Sequence, residues 1–284
     1  MPIRYDPSRR ALFTPERRDT LFKRDQPYSP LQLAIEAARL AYYRAEEAAS
    51  EKARLAEALA TVGFENLELF IDPMNKGAAF AARRDADRMA ILAFRGTQPD
   101  NLKNLLTDAR AKLAAWPESA GRTHIGFATA ARALFPQVRR WLESARPDPN
   151  NFILTGHSLG AALATLTATI CTPGWLVTLG SPRIGDAAFA ATVRAANIVR
   201  LVDCCDLVTE VPPPIDGYEH IRPATYLTGR GRVVENPTDE FVAKDRRRAR
   251  IRYALTYAWR LCRDVIARDL ADHAPINYAR TLFS

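Results

Sequence analysis

Apolar residues recur along this chain with two periods. Leu31, Ile35, Ala38, Tyr42 and Tyr43 follow helical spacing behind Pro30, which sits where a first-turn proline belongs. The polar, Ala- and Glu-rich stretch after them extends that helix to about Thr61, with Gly63 as its stop. Short apolar runs at 67–71, 78–83 and 89–94 read as strands, the first two joined by a turn containing Pro73, Asn75 and Gly77. Beyond them the pattern alternates. Helices are predicted over 102–116, 127–142, 159–171 and 186–196, and strands over 151–155, 175–179, 198–202 and 225–228. Strands alternating with helices predict an α/β fold with a mostly parallel sheet covered on both faces. No internal repeat or low-complexity linker divides the chain. Residues 1–28 read as an arm on the surface, and 29–284 as one domain.

Composition narrows the class. Of 284 residues 48% are hydrophobic and 25% charged, which excludes wholesale disorder. No apolar run reaches the ~18 residues of a spanning helix. Residues 1–26 are polar and Arg-rich, so no Sec-type leader is expected. The four cysteines, Cys171, Cys204, Cys205 and Cys262, are too few and too irregularly spaced for a disulfide framework or a CxxC zinc site. The expectation is a cytoplasmic or peripherally membrane-associated protein with reduced thiols, leaderless export remaining open.

The formal charge of +8 is uneven. Residues 1–24 hold seven basic against three acidic side chains, and residues 244–263 hold eight against one, which leaves the rest net negative. Basic arms on a neutral body suit nucleic acid or an anionic membrane surface, and equally a solvated helix face with a frayed terminus.

The chemistry concentrates at Gly156-His157-Ser158-Leu159-Gly160, a G-x-S-x-G directly after a strand and before a helix, the context of a nucleophile elbow. Gly156 and Gly160 leave room for a strained turn that lifts the Ser158 hydroxyl above the sheet edge. A hydroxyl needs a base oriented by an acid. Elbow hydrolases run Ser, acid, His, so His124 precedes too early, and His157, bonded to the nucleophile in sequence, reads as packing. His220 and His273 remain; His273, in a loop near the end of the sequence, is favoured over His220, a candidate structural hydrogen-bonder. Asp203 and Asp206 both follow the strand at 198–202, and Asp206 is better placed.

These residues resemble the class 3 lipases, the fungal-type triacylglycerol lipase family with an α/β-hydrolase fold. The matches are Phe94-Arg95-Gly96-Thr97, His124-Ile125-Gly126-Phe127, the stretch from Thr155 to Gly160, and the stretch from Thr178 to Gly185. They continue with Asp206-Leu207-Val208 before Pro212-Pro213, Gly217-Tyr218 with His220, and Asp272-His273 with Tyr278. The resemblance implies Ser158 as nucleophile, Asp206 as acid and His273 as base, with oxyanion donors at Thr97 and at the N–H of Leu159. Each such donor is worth about 3 kcal/mol. It also implies a lid helix: 98–112, with Leu102, Leu105 and Leu106, covers the site or is a fixed core helix. Thr209 stands where the family often has Pro. About 35 residues precede His273, with Phe241, Ile251, Leu255, Trp259, Cys262 and Ile266 along one side of a basic amphipathic helix at about 240–271.

The reading that follows is a serine carboxylester hydrolase cleaving acylglycerols or related lipid esters through an acyl-enzyme, with no metal or cofactor. The expected partners are the lipid ester and an anionic membrane or lipid-droplet surface, with no nucleic acid. The alternatives are a phospholipase A1-like enzyme, a soluble-ester esterase and, remotely, a non-catalytic membrane-surface or nucleic-acid-binding protein on a hydrolase fold.

Overall fold

The structure, a computed structural model, describes residues 3–74, 77–96, 112–257, 259 and 263–283. The strands are β1 (Glu65–Asp72), β2 (Gly77–Arg84), β3 (Met89–Phe94), β4 (Leu113–Ala115), β5 (Arg122–His124), β6 (Phe152–His157), β7 (Trp175–Leu179), β8 (Gly185–Asp186), β9 (Asn197–Asp203), β10 (Tyr218–Glu219), β11 (Thr225–Leu227) and β12 (Val233–Glu235). The helices are α1 (Arg9–Phe13), α2 (Pro30–Leu40), α3 (Ala49–Ala60), α4 (Ile125–Ala145), α5 (Leu159–Thr167), α6 (Ala187–Ala190), α7 (Asp239–Tyr257), α8 (Arg268–Ala271) and α9 (Pro275–Ala279).

An eight-stranded sheet in the order β1-β2-β3-β6-β7-β9-β11-β12 forms the centre. From β3 to β11 neighbouring strands run parallel, while β1, β2 and β12 add antiparallel edges. Every residue of β3 and β6 is buried, as expected of parallel strands covered on both faces. Their side chains alternate between two cores. Ile91, Ala93 and Ile153 face α2, α3 and α9; Ala90, Leu92, Phe94, Phe152 and Leu154 face α4 and α5. The predicted α/β-hydrolase architecture is the observed one. A second, four-stranded sheet, β10-β8-β5-β4, lies apart from the main one.

Four sequence expectations change. The helix predicted from Pro30 to Thr61 is two helices. It breaks after Leu40, where Tyr42 turns inward to His157 and the Tyr43 hydroxyl donates to the carbonyl of Arg18, and Ala48 restarts it from an extended backbone. The described end of the segment 102–116 is strand rather than helix: Leu113–Ala115 pairs with Arg122–His124, and the Trp116 indole donates to Thr169 Oγ1. In 186–196 only Ala187–Ala190 is helical. The basic helix ends at Tyr257, and a separate turn of helix, Arg268–Ala271, precedes His273. It is not amphipathic toward the core: Ala249 and Tyr253 are its buried residues, while Ile251, Leu255 and Trp259 stand in solvent.

The N-terminal arm is more than a surface strap. Ala11, Leu12 and Phe22 are buried in the core, and Ser8 forms a β-bridge with Asp264. Asn277 holds the arm to the chain's C-terminal part: its Oδ1 accepts from Asp6 N–H at 2.9 Å, and its Nδ2 donates to the carbonyls of Asp6 (3.0 Å) and Ala271 (2.9 Å). Replacing Asn277 by Ala would leave these backbone groups unpartnered in a buried place. The expected loss is about 3 kcal/mol, measured by urea unfolding; a loss under ~1 kcal/mol would show that this bracket does not hold the arm.

Candidate active site

β6 runs Phe152–His157 between β3 and β7, and Ser158 turns the chain into α5 with φ +59° and ψ −126°. A non-glycine residue keeps such a backbone only when its surroundings impose it. The Ser158 N–H donates to the carbonyl of Leu179 at 2.9 Å, and its carbonyl accepts from Ala161 N–H at 3.0 Å. A Cβ on Gly156 would land on the carbonyl of Gly160, and one on Gly160 would land on the carbonyl of Phe94. Glycine at both positions is therefore a packing requirement, as the sequence pattern predicts.

His273 follows α8 in a loop that α9 closes. Its Nε2 lies 3.0 Å from Ser158 Oγ, and its Nδ1 lies 2.8 and 3.0 Å from the two oxygens of Asp206. All three side chains are buried. Asp206 caps a short 3₁₀ turn, Leu207–Glu210, accepting from Val208 N–H at 2.8 Å, and its Oδ2 also accepts from the Tyr278 hydroxyl at 2.5 Å. Two bonds besides the one to histidine thus fix the carboxylate's orientation. Asp203, the rival acid, pairs instead with Arg280 at 2.7 Å. His220, the rival base, lies 3.0 Å from the Thr209 carbonyl through its Nε2, and Thr209 Oγ1 donates to the carbonyl of Asp206 at 2.8 Å. Thr209, at the family's frequent proline position, thereby ties the acid loop to itself. His124 caps α4 and stacks on Phe127.

Leu159 opens α5, where intrahelical bonding leaves the first N–H groups free. Thr97 and the lid candidates Leu102, Leu105 and Leu106 lie outside the described residues. Phe94 pairs with Gly156, so β3 delivers the chain alongside the elbow.

Two neighbours of the triad were not singled out from sequence. The Tyr42 hydroxyl lies 2.7 Å from His157 Nδ1, and the His157 ring stands 4.5 Å from that of His273. Burial, and then the charge of His273, hold the His157 pKa well below 6.5, so it is neutral beside the base. Asp272 is the second. Its carboxylate accepts from the Tyr5 hydroxyl (2.7 Å), Cys205 N–H (2.9 Å) and Arg268 Nε (3.0 Å), locking the residue before His273 to the arm and to the acid loop. The pair Asp272-His273 was visible in sequence, but no local pattern marks Tyr5 or Tyr42 as its company.

Among the described residues, Cys204, Cys205 and Asp272 are the one group close enough to suggest a metal. Their donors are already engaged: the two sulfurs lie 3.6 Å apart, and a mutual hydrogen bond followed by burial pushes the Cys204 thiol up. No ion is assigned to them.

A family model for lipase (class 3) matches residues 91–215, the span that holds β3, the elbow and the acid loop. Over that span the chain is similar to the class 3 lipases. A secreted mono- and diacylglycerol lipase of Fusarium solani is 31% identical to it over 160 residues, 53% of this chain and 47% of that protein. A lipase of Rhizopus niveus is 30% identical over 182 residues, 58% of this chain and 45% of that protein. The chain thus spans about half the length of these relatives. The solved triacylglyceride lipase of Rhizomucor miehei, at 20% identity, covers 90% of this chain and 94% of its own with a TM-score of 0.61, which shows the shared fold.

In this chain the buried His157 gives stability a pH dependence of known sign. The folded state refuses a proton that the unfolded chain takes near pH 6.5. Its contribution is therefore complete above that pH and is lost as the pH falls below it. Between pH 6.5 and 5 the loss approaches about 1.5 kcal/mol. Urea unfolding at both pH values should show His157→Gln losing that much less than the unaltered chain, whatever its absolute stability; equal losses would contradict the assignment.

Proposed function

We propose that this chain is a serine carboxylester hydrolase acting on acylglycerols or related lipid esters. Ser158 Oγ attacks the ester carbonyl while His273 Nε2 takes its proton. Asp206 holds the Nδ1–H and stabilises the imidazolium. The tetrahedral oxyanion is received by the N–H of Leu159, at the positive end of α5, and by Thr97. Collapse expels the alcohol, which takes the proton from His273, and leaves the acyl group on Ser158. A water activated by His273 then repeats the sequence, releasing the fatty acid and restoring the hydroxyl.

The observation that carries this reading is the unbroken run from Ser158 Oγ through both nitrogens of His273 to Asp206, at 3.0 and 2.8 Å. A protein that had merely kept the fold would have no need of that alignment. The relatives' activity on mono- and diacylglycerols supports lipid esters as the substrate class. Ser158→Ala should lower hydrolysis of p-nitrophenyl butyrate by about 10⁴-fold or more and abolish labelling by a fluorophosphonate probe. Unchanged turnover in the purified variant would overturn the proposal.

We further propose that the enzyme docks on anionic lipid through α7 and the segment after it. Leu255, Trp259 and Ile266 are 79, 71 and 69% exposed, apolar side chains in the same stretch of sequence as the exposed Arg247, Arg248 and Arg252. Arg246 does not belong to this face, because it is held by Glu210 and the carbonyl of Cys204. No helix among the described residues is long and apolar enough to cross a membrane, and these side chains suit contact at the surface. Binding to vesicles containing phosphatidylglycerol should fall with salt and drop about thirtyfold in Arg247→Gln/Arg248→Gln, at ~1 kcal/mol for each charge near the surface. Leu255→Ser/Trp259→Ser should weaken binding at every salt concentration. Binding insensitive to salt and to both pairs would overturn the docking proposal and leave the hydrolase proposal standing.

A further inference from the structure

A cavity of about 480 Å³ lies beside the acid loop, between β9, β11 and the start of α7. Three arginines from separate elements converge on it: Arg183 from the loop after β7, Arg200 from β9 and Arg246 from α7. Arg200 is only 8% exposed. Among the described residues its single hydrogen bond runs from Nε to the carbonyl of Arg222 at 2.8 Å, and no carboxylate pairs with it. A buried guanidinium without a counter-charge is costly and calls for one.

The other two guanidiniums do not supply it. Arg183 Nη1 donates to the carbonyls of Glu210 (2.6 Å) and Pro212 (2.8 Å), which satisfy protons without cancelling the charge. Arg246 pairs with the Glu210 carboxylate at 2.7 Å, and Asp239 lines the cavity from the first turn of α7. Three cations thus face two carboxylates. His220, also on the wall, adds nothing, because burial and then Arg200 and Arg183 hold it neutral. Burial, and then the repulsion of Arg183, push the Arg200 pKa down to about 10. Both effects are relieved by an anion. The rest of the wall mixes the polar Thr209 and Asn236 with an apolar side of Val202, Tyr226 and Val242, and the volume falls in the range of sites for small organic ligands.

We propose that this cavity binds an organic phosphate ester, its phosphate on the guanidinium groups of Arg200 and Arg183 and its organic part against Val202, Tyr226 and Val242. Guanidinium forks match phosphate oxygens two bonds at a time. The site is separate from the esterolytic one: neither Ser158 nor His273 lines it. Phosphate of this kind reaches a lipase from two sources, a phospholipid headgroup or a free sugar or polyol phosphate.

The test is calorimetric titration of the full-length Ser158→Ala variant, which removes the proposed turnover. The probes are sn-glycerol 3-phosphate, dihexanoyl phosphatidylglycerol below its aggregation concentration, and butyrate as a carboxylate of similar reach. Saturable binding of at least one phosphate probe is expected. Adding Arg183→Gln or Arg200→Gln should weaken it about tenfold or more, and adding Arg139→Gln on the exposed face of α4 should leave it unchanged. Tighter binding of the phosphatidylglycerol assigns the site to a headgroup; tighter binding of the glycerol phosphate assigns it to a free ester. Should Arg200→Gln fail to fold, the partly exposed Arg183 carries the comparison. Absence of saturable binding to both phosphate probes would overturn the proposal. So would binding indifferent to both arginine changes, or butyrate binding as tightly as the phosphates.

Discussion

Ser158 keeps a backbone conformation that its own Cβ disfavours, at about 1–3 kcal/mol, and the surrounding structure is arranged so that this conformation alone fits. Gly156 sits in register with Phe94 on one side and Thr178 on the other, so the strand leading into the turn is pinned by both neighbours. Ala161, Ala162 and Ala164 bring α5 down close to the sheet. The penalty is local, and the burial that offsets it is spread over both cores. A larger residue at the turn would therefore disturb β3 and α5 together.

Positioning the base is a separate problem, because His273 stands on a short loop rather than on the sheet. Three segments far apart in sequence solve it. Asp206 and Tyr278 hold the outer side of the ring, His157 backs its face, and Asp272 ties the preceding residue to Tyr5, Arg268 and the Cys205 backbone. Except for the half-buried Tyr5, these partners are buried, where a hydrogen bond is stronger and a missing one more costly than at the surface. The imidazole is thus oriented by a lattice of satisfied bonds more than by its own rotamer preference.

Much of this was legible in the residues. Parallel strands announce themselves as continuous apolar runs, which is why β3 and β7 coincide with their predicted limits, and the elbow follows from glycine spacing between a strand and a helix. Chain order and the resemblance singled out the three residues that the structure brings together at the elbow. What stayed hidden depends on long-range contact. Nothing local says that the helix from Pro30 must stop so that Tyr42 can reach His157. Nothing local says that Leu113–Ala115 will find a strand partner. Periodicity marks an apolar side on α7 but cannot tell a face that packs from one that stays in water, and the structure leaves Ile251 and Leu255 exposed. The arginines of the phosphate-sized cavity were invisible for the same reason: Arg183, Arg200 and Arg246 meet only after the sheet has formed.

The bracket between the arm and the loop of His273 joins parts of the chain made at very different times. Residues 5–9 make their bonds with residues 263–277, which a ribosome adds long after the elbow and the acid loop. Ser158 and Asp206 are therefore synthesised well before His273 and the segment that brackets it. Until the two distant segments clasp, the bonds that bracket the loop of His273 are incomplete.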